Sequence, residues 1–247
     1  MRSAILLALL LAAPAARASD PSALWHIVHD RCVPDQRDHG QPQPCEQVSL
    51  AGGWAVLKDR RGVAQYLLIP TARVSGIEDP AVLAPDAPDY FAAAWAARDD
   101  VAARLGYPVP RDGLSLAINS PTGRSPDQLH IHIYCLRPDV RAALRADRDR
   151  IGGAWAPLPG GLLGHSYLAR RIDGADLAGA SPFRLLAAAP QVGAGGIGAW
   201  TLVVAGVPDG FVLLADRADP TTGDRAEGEE LQDHACALAR APARAPD

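Results

Sequence analysis

The sequence predicts an α+β fold, in which helices cover an antiparallel sheet, and three observations support this prediction. Short apolar or alternating segments, typical of strands, occur in pairs that are joined by turn residues. One long segment, residues 89–105, has apolar side chains at helical spacing and begins at Asp89, a plausible N-cap. After residue 150 further segments of both kinds follow, which indicates a second α+β half appended to the first.

The composition restricts the class of protein and of partner. The chain has 247 residues, of which 48% are apolar, enough to form the core of one large domain or two small ones. The formal net charge is −4, and no basic patch with interleaved aromatic residues occurs, which argues against nucleic acid as a partner. No glycine-rich phosphate loop lies in a strand–turn–helix context, so a nucleotide would have to bind to the sheet and its loops.

The first 18 residues have the pattern of a secretory signal peptide. Arg2 precedes a short apolar stretch, residues 4–13, and Ala16-Arg17-Ala18 is a small-x-small cleavage site. We therefore expect a signal peptide at residues 1–18, one domain at residues 19–247, and export to the periplasm at the inner membrane. The alternative is an uncleaved N-terminal anchor, although the apolar stretch is short for a membrane span.

The four cysteines are expected to form disulfides, because an exported protein meets an oxidising compartment. Cys32 and Cys45 flank a loop rich in Pro, Gln and Asp that can bury little surface. Closing that loop would stabilise the fold by about 3 kcal/mol in the chain-entropy model. Cys135 and Cys236 remain after this argument. Cys135 is not expected to be a nucleophile, because the alternation of side chains along its strand turns it away from the neighbouring histidines.

A hairpin and a further strand precede the most informative stretch of the chain. Residues 54–58 and 65–69 are predicted as two strands around a turn, with Lys58 and Asp59 where the first strand ends. Both charged residues could serve a ligand or could simply flank the turn. Residues 114–118 are predicted as a strand that leads into Asn119.

Residues 129–134 alternate strictly between apolar and polar side chains, the period-2 pattern of a half-buried strand. The leucine and isoleucines are expected to face the core, while His130, His132 and Tyr134 share the other face at spacings of about 7 Å. A shift by one residue would bury the imidazoles and expose the isoleucines, so the apolar face fixes the register.

Two imidazoles on a rigid strand, beside a polar loop that carries Arg124, suit chemistry on a phosphate. Histidine can act as nucleophile or as general acid and base near neutral pH, and arginine can hold phosphate oxygens. The strand alone leaves two alternatives open: a His-x-His metal site that needs a third ligand, and a surface strand that carries two histidines without a function.

The second half is predicted from shorter patterns. A highly charged helix, a Gly/Pro-rich loop at residues 152–164, and a strand with His165 come first. A helix, a hairpin around a Pro-Asp-Gly turn and a closing helix follow. The corresponding ranges are residues 138–150, 165–171, 175–188, 199–204 with 211–215, and 227–240. Trp155 and the leucines of this loop make it a candidate for membrane contact.

These motifs resemble the CDP-diacylglycerol pyrophosphatase family, a divergent branch of the histidine-triad superfamily. Asn119 lies eleven residues before His130, as in that superfamily, and His130-Ile-His132-Ile-Tyr134 matches its triad except at the third position, which is tyrosine here. The similarity extends over about residues 24–240 and keeps both order and spacing. The later stretches that carry it are Leu158-Pro-Gly-Gly-Leu162, Tyr167-Leu-Ala-Arg-Arg171, Ser181-Pro-Phe183, Phe211-Val-Leu-Leu-Ala215 and Gln232-Asp-His-Ala-Cys236.

The resemblance implies a histidine-triad-like sheet and a hydrolase that splits CDP-diacylglycerol into CMP and phosphatidate without a cofactor or metal. It also implies a second disulfide, Cys135–Cys236. His132 would be the nucleophile, with His130 and Tyr134 as its catalytic partners. The residues that would bind substrate or phosphate are Asn119, Arg124, Ser125, Lys58, Asp59 and His165.

Two other functions remain open at this point. A nucleotidyltransferase or general nucleotide pyrophosphatase would use the same strand with a different acceptor. A periplasmic metal-binding protein would use His130, His132 and His165 as ligands. For the hydrolase, the expected partners are the nucleotide–lipid substrate and a membrane surface.

Overall fold

The computed structural model of the chain describes residues 20–239, so the predicted signal peptide and the expected mature start at Ser19 lie outside the described residues. Within this range nine strands form one sheet in the order β1-β2-β3-β5-β4-β8-β9-β7-β6, and every neighbouring pair is antiparallel. The strands are β1 Gln47–Ser49, β2 Trp54–Lys58, β3 Tyr66–Pro70, β4 Leu114–Ile118, β5 Ile131–Cys135, β6 Ala156–Pro157, β7 Leu168–Asp173, β8 Trp200–Val207 and β9 Gly210–Arg217. The predicted α+β class is therefore confirmed.

The two predicted halves share this one sheet. Strands β1–β5 form one side and strands β6–β9 the other, and they meet where β4 pairs with β8. The register there joins residues 115–118 to residues 202–205. The predicted strands at residues 54–58 and 114–118 have the expected bounds, and the hairpin around the Pro-Asp-Gly turn forms β8 and β9.

The helices are short and lie on both faces of the sheet. They are α1 Ala23–Ile27, α2 Val33–His39, α3 Tyr90–Ala96, α4 Asp99–Leu105, α5 Pro138–Ala146 and α6 Pro182–Ala187; a π-helical turn, Val28–Cys32, joins α1 to α2. The Asp89 carboxylate accepts a hydrogen bond from the Ala92 N–H at 3.2 Å, as expected of an N-cap.

Three of the predicted helices differ from the structure. The helix predicted at residues 175–188 is reduced to α6, Pro182–Ala187, with Ser181 as its N-cap. The segment at residues 89–105 forms two helices, because the Arg98 guanidinium donates to the Trp95 carbonyl at 2.7 Å and ends α3 early. The closing helix predicted from residue 227 is replaced by two 3₁₀ turns, Gly228–Leu231 and Ala237–Ala239. Between those turns Asp233 accepts from the Ala235 and Ala237 N–H groups, and Cys236 has a positive φ of 53°. Both features end a helix.

The apolar residues form three clusters that are arranged around β5. The largest cluster fills one face of the sheet and includes Ile131 and Ile133. The opposite face, which we call the histidine face, carries two smaller clusters. One lies under the N-terminal helices over β2 and β3, and the other lies under α5 over β4, β8, β9 and β7. Leu67 in the first cluster and Ala117 in the second both pair with His132, so the histidines lie between the two clusters.

Both predicted disulfides are present. Cys32–Cys45 has a Cα–Cα distance of 5.7 Å and Cys135–Cys236 one of 5.3 Å, and no free cysteine remains among the described residues. Two disulfides suggest an oxidising environment outside the cytosol. Among residues 20–239, no helix has the length and apolar character needed to cross a bilayer.

The candidate membrane loop is exposed only in part: Leu163 is 41% exposed, whereas Trp155 is covered. The side chain of Trp155 is only 7% exposed, and its indole N–H donates to the Leu185 carbonyl at 2.8 Å. The Gly/Pro-rich composition indicated a loop correctly but could not indicate that α6 covers it. The hypothesis that Trp155 touches a membrane is therefore wrong.

Candidate active site

Strand β5 places the two histidines on the histidine face, as the alternation predicted. Ile131 and Ile133 point into the largest cluster, and His132 lies between Leu67 of β3 and Ala117 of β4. The expectation of a half-buried strand was wrong, because the N-terminal helices and the segment around Glu229 cover this face too. His130 and His132 are each 5% exposed.

The environment of His132 is asymmetric. Its Nδ1 lies 2.6 Å from Nε2 of Gln65 and 3.6 Å from Oε1 of Glu229, and the same Gln65 nitrogen donates to Glu229 at 3.0 Å. Its Nε2 is buried and has no hydrogen-bond partner among the described residues. Burial lowers the pKa of His132, and the Glu229 carboxylate opposes this shift. His132 is therefore an imidazole held at one nitrogen and open at the other.

His130 is held differently. Its Nδ1–H donates to the Gln128 carbonyl at 2.7 Å, and Gln128 is itself fixed by donating to the carbonyls of Pro70 and Ala72. The rings of His130 and His132 meet edge to face, with centroids 5.0 Å apart. Burial, reinforced by the neighbouring His132, lowers the pKa of His130 to about 3. His130 is thus neutral near pH 7, with its lone pair on Nε2.

Glu229 reaches His132 from the 3₁₀ turn Gly228–Leu231. Its backbone N–H donates to the Asn119 side chain at 3.1 Å, and the Gln232 amide donates to the His132 carbonyl at 3.2 Å. These two bonds hold the segment against β4 and β5. Burial by itself would raise the pKa of Glu229, but His132, the Gln65 amide and His234 together lower it. Glu229 is therefore a carboxylate beside His132.

Tyr134 lies beyond His132 on the same strand. Its hydroxyl donates to the His234 carbonyl at 3.0 Å and accepts from the Ala64 N–H at 3.4 Å. Burial raises its pKa. A hydroxyl with both bonds engaged and a raised pKa is a poor proton donor to a leaving group.

Arg124 and Ser125 lie in the loop before β5 but differ in their environments. The Arg124 guanidinium forms a two-pronged ion pair with Glu78, its side chain is 5% exposed, and it also donates to the Pro126 carbonyl at 3.1 Å. Ser125 is exposed. The sequence pattern could not indicate that Glu78, 46 residues away, neutralises the arginine.

Lys58 is the last residue of β2, and Asp59 follows it. The Lys58 ammonium donates to the carbonyls of Asp59 and Gly62, and burial lowers its pKa. Asp59 comes close to His132 and Glu229: one potential ligand atom from each of the three lies within 4.8 Å of the others. The three residue types suit a divalent metal as well as proton transfer.

His165 lies apart from this group. It precedes β7, and β5 is separated from β7 by three strands, which corresponds to roughly 19 Å across the sheet. Its Nδ1 is 2.8 Å from a Glu230 oxygen, and this hydrogen bond raises its pKa. The metal site that would combine His130, His132 and His165 is therefore not assembled.

Four further residues at the site were not singled out in the sequence: Gln65, Glu229, Arg61 and His234. Gln65 lies opposite Tyr134 in register and was assigned only to a strand. Glu229 and His234 were assigned to the closing helix. Arg61 is exposed in the turn after β2, and its charge is one of those that lower the pKa of His132. Gln65 and Arg61 lie in or beside the predicted hairpin, and His234 lies in the shared Gln232-Asp-His-Ala-Cys236 stretch, whereas Glu229 had no such signal.

The chain matches known proteins over nearly all of the residues that the structure describes. The sequence profile of the CDP-diacylglycerol pyrophosphatase family matches residues 19–240. A CDP-diacylglycerol pyrophosphatase of Yersinia pestis is 48% identical over 221 residues, which is 89% of this chain and 86% of the relative. The histidine strand, the covering glutamate and both disulfides lie within the matched range. The chain therefore belongs to the CDP-diacylglycerol pyrophosphatase family.

Proposed function

We propose that this protein hydrolyses CDP-diacylglycerol to CMP and phosphatidate, with His132 as the nucleophile. The observation that carries the mechanism is the buried Nε2 of His132, which has no hydrogen-bond partner among the described residues. A buried polar atom without a partner is costly unless a ligand meets it. Membership of the family supports the substrate and the net reaction.

In the first step Nε2 of His132 attacks the phosphorus that carries the cytidine. The bond from this phosphorus to the bridging oxygen breaks, and phosphatidate leaves with the bridging electron pair. In the second step water attacks the same phosphorus, the phosphorus–nitrogen bond breaks, and CMP leaves while His132 returns to its free state. The nucleophile divides one difficult hydrolysis into two displacements.

The ring proton of His132 decides whether Nε2 can attack. Attack requires the lone pair on Nε2 and the proton on Nδ1, where Glu229 lies 3.6 Å away. A carboxylate this close stabilises the cationic ring of the intermediate by its charge. In this state Gln65 would present its amide oxygen to Nδ1, because its nitrogen and an Nδ1–H would both be donors; that oxygen has no partner among the described residues. Glu229 is thus a positioning residue for His132 in the proposed mechanism.

His130 acts as the proton carrier in this proposal. The Gln128 carbonyl fixes the proton on Nδ1 of His130, so Nε2 can take a proton from water in the second step. Its low pKa in the free site rises beside a pyrophosphate. This assignment favours His130 over Tyr134 and over the distant His165 as the group that moves protons.

The phosphate oxygens need cationic or N–H partners. In this proposal Lys58 at the end of β2 and Arg61 in the turn after it meet these oxygens, together with Ser125 and N–H groups of the loop before β5. Asp59 serves the ribose hydroxyls. Asn119 and Arg124 act mainly through others: Asn119 positions Glu229, and Arg124, paired with Glu78, shapes the loop.

The location that fits this proposal is the periplasm at the inner membrane. A signal-like N-terminus, two disulfides and a lipid substrate support it. Contact with the membrane surface follows from the substrate, because the acyl chains of CDP-diacylglycerol remain in a bilayer.

The test is CMP release from CDP-diacylglycerol by His132→Ala, with His26→Ala as a matched control on the exposed N-terminal helix. We expect His132→Ala to lose about 10³-fold or more in turnover, since it lacks the nucleophile, and His26→Ala to match the wild type. Brief reaction with substrate labelled in the cytidylyl phosphate, stopped in alkali, should leave acid-labile label on wild-type His132.

The proposal makes two separate claims that this test can contradict. Absence of CMP release by the wild type would remove the function. CMP release without trapped label, together with activity of His132→Ala near the wild-type level, would keep the function and replace the nucleophile by direct water attack. Full activity after treatment with a chelator would argue against a metal held by Asp59, His132 and Glu229.

A further inference from the structure

A second polar cluster lies on the histidine face, at the far side of the sheet from His132. It combines His165 before β7, Asp216 near the end of β9, and Asp224 in the turn after β9. One potential ligand atom from each residue lies within 4.8 Å of the other two. Four strand spacings, roughly 19 Å, separate this cluster from β5, so it does not belong to the proposed catalytic group.

Each member of the cluster is held in place by a bond that leaves another atom open. Nδ1 of His165 lies 2.8 Å from Glu230, which leaves the second ring nitrogen with a lone pair when the ring is neutral. One oxygen of Asp216 accepts from the Arg217 N–H at 2.8 Å, and one oxygen of Asp224 accepts from the Ala226 N–H at 2.8 Å. A histidine buttressed by a carboxylate is the usual arrangement at protein metal sites.

Asp216 supplies the observation that points to a ligand. Asp216 is only 3% exposed, and its Oδ2 is buried without a hydrogen-bond partner among residues 20–239. No arginine or lysine of the described chain forms an ion pair with Asp216 or Asp224. Burial and the neighbouring Asp224 carboxylate raise the pKa of Asp216. A cation held between this buried carboxylate, the second carboxylate and the imidazole would balance their charge.

We propose that His165, Asp216 and Asp224 form a binding site for a first-row divalent transition metal such as Zn²⁺. One nitrogen and two carboxylate oxygens suit Zn²⁺ or Mn²⁺ better than Mg²⁺ or Ca²⁺, which prefer oxygen ligands alone. The fourth position would hold water. Glu230, which also accepts from the Tyr167 hydroxyl at 2.7 Å, would orient His165 as an outer partner.

The site would have a structural effect on the chain. Its ligands join the loop before β7, the end of β9 and the turn at residues 218–224. That turn leads directly into the segment that carries Glu229 and Glu230. A bound metal would fix both ends of this connection and stabilise the folded state by mass action.

The experiment is calorimetric titration of the metal-stripped, disulfide-intact protein with Zn²⁺. The wild type is expected to bind one equivalent at this site, with a rise of several degrees in the midpoint of thermal unfolding. Asp216→Asn should weaken this binding by 100-fold or more, and His165→Gln should weaken it to a similar degree. Asp219→Asn is the matched control, because it makes the same chemical change three residues later, in the turn after β9, and it should bind as the wild type does.

Binding at the other group must be separated from binding here. His132→Gln removes a potential ligand from the group around Glu229 and should leave the titration at the proposed site unchanged. Co²⁺ absorption in the visible range should report a nitrogen–oxygen site in His132→Gln and disappear in Asp216→Asn. Equal Zn²⁺ affinity of wild type and Asp216→Asn, or no binding to the wild type below millimolar Zn²⁺, would overturn the proposal.

Discussion

At the scale of single residues, three histidines of this chain lie in three different environments. His130 donates to a carbonyl and is neutral, His132 faces an amide and a carboxylate, and His165 is paired with Glu230. Burial lowers the pKa of the first two, while the carboxylate raises that of the third. The partner of each nitrogen therefore matters more for its chemistry than the motif in which it stands.

The stability of the protein should depend on pH through His130. Its pKa is lowered from 6.5 to about 3 in the folded state, so the folded protein takes up this proton only at a lower pH than the unfolded chain does. The stability is fully present above about pH 6.5 and is lost as the pH falls towards 3. The loss attributable to His130 is of the order of a few kcal/mol.

The measurement is urea unfolding of the wild type and His130→Gln at several pH values between 7.5 and 4. Glutamine can still donate to the Gln128 carbonyl but cannot titrate, so the variant should show a flatter decline. The charged groups that act on His130 are His132, Arg124 and Glu229, and all remain in the variant. Parallel curves for the two proteins would show that another group causes the pH dependence.

Residue patterns predicted the faces of β5 but not its covering. Alternation from Leu129 onward places the histidines opposite the isoleucines, because side chains on a strand alternate by geometry. What covers them comes from residues about 100 positions away, such as Gln232 and Glu229. No local pattern contains that information, and Arg124 was assigned to phosphate for the same reason.

At the scale of elements, the 3₁₀ turn Gly228–Leu231 is the one that completes the candidate site. Glu229 and Glu230 are adjacent in it, yet each contacts a different histidine. The sequence predicted a closing helix here, at residues 227–240. The actual course follows from specific bonds: Asn119 to the Glu229 N–H, Gln232 to β4 and β5, and the Cys135–Cys236 disulfide.

The turn offers a matched pair of substitutions to test the role of Glu229. Glu229→Gln removes the carboxylate beside His132 with little change in shape, and Glu230→Gln makes the same change one residue later. We expect Glu229→Gln to lower kcat about tenfold or more, with a smaller change in KM, and Glu230→Gln to lower it much less.

If Glu229 only stabilised the fold, replacing it would not change the rate at which the cytidylyl-histidine forms. In the proposed mechanism Glu229→Gln slows formation of the cytidylyl-histidine, so the rate at which label is trapped should fall with kcat. Its pH–rate profile should also shift, since His132 loses the charge that opposes the lowering of its pKa. An unchanged trapping rate and profile in a folded Glu229→Gln protein would argue that this carboxylate does not position His132.

At the scale of the whole molecule, the candidate site is built from both halves of the chain. The histidines, Gln65 and Asn119 come from the side of β1–β5, while Glu229 and His234 come from the segment after β9. The two sides are joined by the β4–β8 pairing and by Cys135–Cys236. The sequence predicted the halves and both disulfides; it could not predict that one sheet runs through them, since that depends on which edge strands meet.

The disulfide that crosses between the halves has a consequence for a chain that is cut. The connection between them passes through the exposed residues 148–150. If a specific protease cleaves a recognition sequence placed there, the two fragments should stay together as one covalent particle and keep releasing CMP. They should separate on a denaturing gel only after reduction, whereas the Cys135→Ser/Cys236→Ser protein, cut in the same way, should separate without it.

Uncut protein treated with reductant controls for loss of Cys32–Cys45, and inactivity of the oxidised, cut particle would contradict the prediction. An unbroken peptide chain between the halves would then be needed for synthesis and folding of this protein, whereas the Cys135–Cys236 disulfide would be enough to hold the folded halves together.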